Sequence, residues 1–226
     1  MSRPALRGSR TVARRRKGLS DRGTRHDAAY RRAKAEGKVA RAVYKLEELD
    51  RRFRLLRPGR KVLDLGCWPG SWLAYAAERV GPEGLVVGID LRPVELALPP
   101  HVHTAVADVT EIDPAVLVGR FGTFDLVASD MAPHTSGDRA TDQFRSEELA
   151  FAALHVARGV LRRGGHFVVK VFQGPRFGEL LAEVRTHFNE ARALVPPSTR
   201  AASREQYVIG RGLRRGPAAE AASCDP

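Results

Sequence analysis

The stretch KVLDLGCWPGSW, residues 61–72, decides how the rest of the chain is read. Lys61–Leu65 is a short apolar run of strand length. Gly66 and Gly70 then bracket a turn in which the backbone can come close to a ligand. Ser71–Val80 follows with helical character and is closed by Gly81-Pro82. A helix start leaves unpaired N–H groups facing whatever occupies the turn. Strand, glycine-rich turn and helix in that order form the opening unit of an open α/β sheet, where ligands bind beyond the carboxyl ends of the strands.

Outward from this unit the alternation continues. Upstream, Ala42, Leu46, Leu49 and Phe53 recur at helical spacing, so residues 41–55 read as an amphipathic helix ended by Pro58-Gly59. Downstream, strands are expected at Leu85–Ile89, Thr104–Ala107, Phe124–Ser129, His166–Phe172, Ala193–Val195 and Gln206–Ile209. Helices are expected at Asp113–Leu117, residues 144–162 and Phe177–Phe188. Strands separated by helices give a doubly wound, mostly parallel, Rossmann-like sheet with helices on both faces. The domain is expected over residues 40–211, between a basic flexible arm (1–39) and a flexible tail (212–226).

Charge is concentrated at one end. The net charge is +12, and residues 1–40 hold thirteen Lys and Arg against Asp21, Asp27 and Glu36. The remainder is nearly neutral. A basic arm on a balanced domain suits a polyanion, of which nucleic acid is the usual one. Arg14–Lys17, Arg22, Arg25, Arg31, Arg32, Lys34 and Lys38 would neutralise backbone phosphates, and Arg200, Arg204, Arg211, Arg214 and Arg215 would extend that face. The first twenty residues contain no acid, as in a transit peptide. The dense Arg14–Lys17 block, with few large apolar neighbours, favours a nucleic-acid arm and a cytoplasmic rather than mitochondrial protein. Two cysteines, Cys67 and Cys224, make neither a disulfide framework nor a metal cluster. No apolar run approaches the length of a membrane span. A monomer is expected.

An acid stands at or near each of four strand ends: Asp64, Asp90, Asp108 and Asp130. The turn lacks the G-x-G-x-x-G spacing of a pyrophosphate cradle, and acids would repel a pyrophosphate. They suit S-adenosylmethionine, which carries a ribose diol, an amino group and a sulfonium. Asp90 would accept from ribose hydroxyls and Asp108 from the adenine amino group. Taken singly, these acids could be loop or capping residues. Trp72, just past the turn, either packs on the ligand or belongs to the core. Lys170 interrupts the apolar run HFVVKVF, where a lysine is unfavourable unless paired or used, or unless it snorkels to solvent from the strand end.

Residues 64–72 (DLGCWPGSW), 129–133 (SDMAP), 167–174 (FVVKVFQG) and 203–207 (SREQY), with RAVYKL at 41–46, together resemble the FtsJ/RrmJ ribosomal RNA ribose 2′-O-methyltransferases of the large-subunit, RlmE-like kind. The likeness spans roughly residues 40–210. It implies a Lys-Asp-Lys-Glu tetrad at Lys45, Asp130, Lys170 and Glu205. It implies S-adenosylmethionine contacts at Gly70, Trp72, Asp90, Asp108 and Asp130, to which the turn itself adds Asp64 and Gly66. It also implies a uridine of large-subunit ribosomal RNA as substrate, methylated in the assembled large ribosomal subunit. Three positions depart from the family's habit: Cys67-Trp68 where small residues are usual, Ser71 for glycine, and His134 for asparagine.

Two roles stay open for Lys170. Burial, the sulfonium and Lys45 favour a neutral amine that takes the hydroxyl proton. Asp130 and Glu205 favour an ammonium that steers the hydroxyl and stabilises the developing alkoxide. The alternatives are a transfer-RNA or mRNA-cap 2′-O-methyltransferase and a non-catalytic ribosome-assembly factor on the same scaffold. A nicotinamide-dependent dehydrogenase is disfavoured by the turn.

Overall fold

A computed structural model describes residues 42–197, 199 and 204–215. The expected arm and most of the expected tail lie outside these residues. Five parallel strands carry the first part of the sheet: β1 (Lys61–Leu65), β2 (Leu85–Asp90), β3 (Val102–Val106), β4 (Phe124–Ser129) and β5 (Leu161–Phe172). β7 (Glu205–Leu213) runs antiparallel between β5 and β6 (Phe188–Leu194), giving the order β3-β2-β1-β4-β5-β7-β6. Helices α1 (Val43–Phe53) and α2 (Ser71–Val80) pack on one face. Helices α3 (Pro114–Phe121), α4 (Arg139–Val160) and α5 (Phe177–His187) cover the other. The mixed, Rossmann-like sheet matches the expected class.

Double coverage explains the strand sequences. β1 and β4 lie in the sheet's centre and are buried on both sides, so they read as nearly continuous apolar runs rather than alternating ones. β3 is an edge strand, and only Val102 of its five residues is buried.

The boundaries differ from expectation where a cap or a long-range contact outweighs periodicity. The expected helix 144–162 begins at Arg139, because the Asp138 side chain accepts from Thr141 N–H at 2.8 Å. It ends at Val160. Leu161, fully buried, pairs with Phe124 and opens β5 five residues before the expected His166. Asp113 caps α3 from outside, with Pro114 at its first turn, and the helix runs on to Phe121. β3 begins at Val102 and stops at Val106, one residue short of Ala107. The last two strands are longer than 193–195 and 206–209, because they pair with each other across a buried seam. There Phe188 packs on Gly210, where an added Cβ would fall 2.7 Å from the ring.

One half-buried group should give the fold a pH dependence. His166 on β5 accepts from Gly212 N–H through Nδ1 at 3.2 Å. Burial, then the positive charges of Arg60, Arg211 and Arg162, lower its pKa to about 4. Its folded pKa lies below the unfolded one of about 6.5. Its contribution is therefore complete above about pH 6.5 and is lost as pH falls towards 4. Thermal unfolding should show this decline between pH 6.5 and 4, and His166→Gln should flatten it. An identical slope in the variant would assign the decline to other groups.

Candidate active site

Strand order reverses between β1 and β4: β2 and β3 lie to one side, β5 to the other. Ligands of open α/β sheets bind at this reversal. A cavity of about 730 Å³ opens there, lined in part by Gly66, Trp68, Asp90, Asp108, Asp130 and Met131. Its size is that of a small-molecule site.

Each wall residue is held by its own loop. Asp90, at the end of β2, accepts from Trp68 N–H and Arg92 N–H, both at 2.9 Å. The β1 turn is thereby tied to β2. Asp108 accepts from the hydroxyl and N–H of Thr110, which hold its carboxyl below the usual range. Gly66 has φ +80°, and a Cβ there would fall 2.3 Å from Met131 Cγ, so glycine is required by conformation and by space. Trp68 is 43% exposed at the rim, with the Arg92 guanidinium 3.7 Å from its ring centre.

Asp64 is the last residue but one of β1, just before this turn. It is 2% exposed, and neither carboxylate oxygen has a hydrogen-bond partner among the described residues. Burial, then the charges of Asp130 and Asp90, push its carboxyl well above the usual carboxylate range. A carboxylate left this way is unfavourable unless a cationic or donating ligand completes it.

Beside the cavity the four tetrad residues converge from four elements. Lys170 projects from β5 to the same face as Val168, towards α1. Its Nζ donates to the Asp130 main-chain O at 2.6 Å and lies 3.1 Å from Asp130 Oδ1. Lys45, on the buried face of α1, donates to Glu205 Oε2 at 2.5 Å. Lys45 and Lys170 are 5% and 6% exposed. β5–β7 pairing sets Lys170 opposite Tyr207 and Phe172 opposite Glu205.

Tyr207 joins the two ion pairs. Its hydroxyl donates to Asp130 Oδ1 at 2.6 Å, and the Lys45 Nζ lies 5.9 Å from its ring centre. Burial, then the negative charge of Asp130, push its phenol well above the usual range, so it stays a donor. Sequence reading gave Tyr207 no role. The available signal was its place two residues after Glu205, hence on the same face of the strand. Trp68 and Met131 were likewise not expected on the cavity wall.

Of the expected cofactor residues, Gly66, Asp90, Asp108 and Asp130 line the cavity, and Asp64 lies beneath it. Gly70 and Trp72 do not line it. Gly70 precedes α2 with φ +104° and faces Val94 and Leu96. Trp72 belongs to the core: its Nε1 donates to Ala42 O at 2.9 Å and its ring stacks on Tyr207. As α2's second residue, it turns towards α1 instead of the ligand side.

The expected basic face also divides. Arg204 adjoins Glu205, whereas Arg211 and Arg214 lie at the far end of β7, roughly 20 Å along the strand. There they bind Glu190 and Thr186 O. The expected arm residues and Arg200 lie outside the described residues. Among the described residues, no group of His, Cys, Asp and Glu is placed to hold a metal ion, and no helix is long and apolar enough to cross a membrane.

Fold and cleft together define a Rossmann-like methyltransferase. The chain belongs to the FtsJ-like methyltransferase family, whose profile matches residues 38–213. It is 49% identical over 193 residues to the ribosomal RNA large subunit methyltransferase E of Syntrophobacter fumaroxidans, covering 85% of this chain and 98% of that one. It is 47% identical over 180 residues to the protein of the same name from Desulfosudis oleivorans, covering 80% and 87%. A Plasmodium falciparum structure described as a ribosomal RNA methyltransferase superposes with TM-score 0.67 at 25% identity, covering 77% of this chain and 97% of that one.

Proposed function

We propose that this chain transfers a methyl group from S-adenosylmethionine to the ribose 2′-hydroxyl of a uridine in large-subunit ribosomal RNA, within the assembled subunit. The observation that carries the reading is the buried Lys170–Asp130 pair, set at the rim of an acid-lined cavity and bridged by Tyr207 to Lys45–Glu205. The names of the relatives, which are ribosomal RNA large subunit methyltransferases, supply the RNA class.

The residues fit the cofactor's chemistry. Asp90 and Asp108 offer carboxylates to hydroxyl and amino donors, and the incompletely bonded Asp64 suits an ammonium, met directly or through a water. The wall of Trp68 and Met131 suits an apolar, planar group. When bound, S-adenosylmethionine supplies a methyl group on a sulfonium, a leaving group that needs no help from the protein.

The chain's own task is to position the acceptor oxygen and manage its proton. Asp130 engages the Lys170 amine through two oxygens, leaving one direction on Nζ for the ribose hydroxyl. There the neutral amine takes the hydroxyl proton, or the ammonium donates to the developing alkoxide while the hydroxyl proton passes to solvent water. Orientation of this kind is worth about 7–11 kcal/mol of barrier. Tyr207 and Glu205 keep both lysines in place. The arm (1–39) adds phosphate contacts that position RNA without reading its sequence. We place the activity in the cytoplasm and in a monomer.

The direct test incubates the full chain and radiolabelled S-adenosylmethionine with large subunits lacking the modification, with naked large-subunit RNA and with transfer RNA. Label is expected in the subunits. Label in transfer RNA alone would replace the substrate, and none in any RNA would replace the function.

A further inference from the structure

On the outer side of Glu205 a second cleft, of about 620 Å³, opens between α4, the β5–α5 loop and the start of β7. Glu205 lines it, so it begins at the tetrad. Along it runs a half-exposed row of three amides. Gln143 Nε2 donates to the Gln173 main-chain O, and Gln206 Nε2 donates to Gln173 Oε1, both at 2.5 Å. Those bonds fix what the row presents: Gln173 Nε2 as a donor, and Gln143 Oε1 and Gln206 Oε1 as acceptors. None of the three has a partner among the described residues. Pro175 and Val195, the latter 53% exposed, give the rim two apolar surfaces.

Arg139 and Arg204 bound the cleft, and both are exposed. Neither guanidinium has an ion-pair partner among the described residues. Arg139 is the first residue of α4, the helix end whose partial positive charge repels a cation. Its place is therefore unexplained by the stability of the fold. Two such guanidiniums flanking oriented amides and apolar surfaces have the composition of a nucleotide site: phosphates at the ends, a base edge along the amides, a base face at the rim.

We propose that this cleft holds the nucleotide next to the acceptor uridine, in single-stranded RNA. Arg139 and Arg204 take its flanking phosphates, the amide row reads its base edge, and Pro175 and Val195 pack on the base. The substrate segment must be unpaired there, since in an A-form helix the base faces are stacked and the major-groove edges lie too deep for side chains. This inference rests on the reading of the tetrad as an RNA ribose methyltransferase.

The test uses the full chain with an in vitro transcript of large-subunit RNA, which carries no modification, and with unmethylated large subunits. For Arg139→Ala/Arg204→Ala, the slope of log affinity against log salt should shrink by about 1.4, two single-strand phosphate contacts. Transcript affinity should fall roughly tenfold at about 0.1 M salt, with S-adenosylmethionine affinity unchanged. Arg139→Lys/Arg204→Lys should restore most of the slope, which a structural role would not require. Gln143→Ala/Gln173→Ala should raise KM for RNA and leave the slope alone. An active unaltered chain, with unchanged slope in the arginine double variant and unchanged KM in the glutamine one, overturns the cleft assignment alone. An unaltered chain that methylates no RNA overturns the functional reading, and this inference with it.

Discussion

Lys170→Ala is expected to lose roughly 10²–10⁴-fold in turnover while binding S-adenosylmethionine as the unaltered chain does. The amine is 6% exposed in an otherwise apolar strand, and its hydrogen bonds go to Asp130. In the proposed mechanism, removing it takes away the amine that meets the acceptor hydroxyl. Asp130 keeps the Tyr207 hydrogen bond, so the cavity wall it belongs to stays in place. Lys170→Met, which fills the same space, separates loss of chemistry from loss of packing. Single-turnover methyl transfer beside calorimetric cofactor binding reads both quantities. Unchanged turnover in the methionine variant sinks the assignment, whichever protonation state the amine works in.

Asp64→Asn should weaken S-adenosylmethionine binding by about 10–150-fold, the loss of a hydrogen bond to a charged group worth about 1.5–3 kcal/mol. The same change should stabilise the cofactor-free chain. Asp64 is buried without a partner among the described residues, and its folded pKa is raised. For a carboxyl with a raised folded pKa, stability is complete below the unfolded value of about 3.9 and is lost as pH rises towards the folded one. The gain from asparagine should therefore be small near pH 4 and larger at neutral pH. Opposite signs for stability and affinity are what distinguish a ligand-completed acid from a structural one. A variant that loses both would make Asp64 structural.

The parallel half of the sheet was legible because buried strands carry a nearly continuous apolar pattern and the β1 turn carries glycines at fixed places. The antiparallel end was less so. β6 is only partly buried and carries Asn189, Glu190 and Arg192, so its pattern is weak, and its length follows from pairing with β7. Strand-end acids were readable because the rule that places ligands at carboxyl ends is topological. Trp72 was not, because a tryptophan after a ligand turn and a core tryptophan look alike in sequence. Only α1, packed on α2, turns it inward. Lys45 and Glu205 were visible through family likeness alone: each by itself reads as a surface charge. Tyr207 and the amide cleft went unread because their partners lie 30 to 77 residues away.

In the proposed reaction, Lys170 and its partners act on a ribose oxygen and not on a base. A 2′-O-methyl group removes the nucleophile that alkali needs to cleave the adjoining phosphodiester. Large subunits lacking the modification, labelled by the full chain and radiolabelled S-adenosylmethionine, should therefore yield their label after complete alkaline hydrolysis in one dinucleotide, with 2′-O-methyluridine as its 5′ member. Label recovered in mononucleotides would mean methylation of a base and would overturn the ribose assignment.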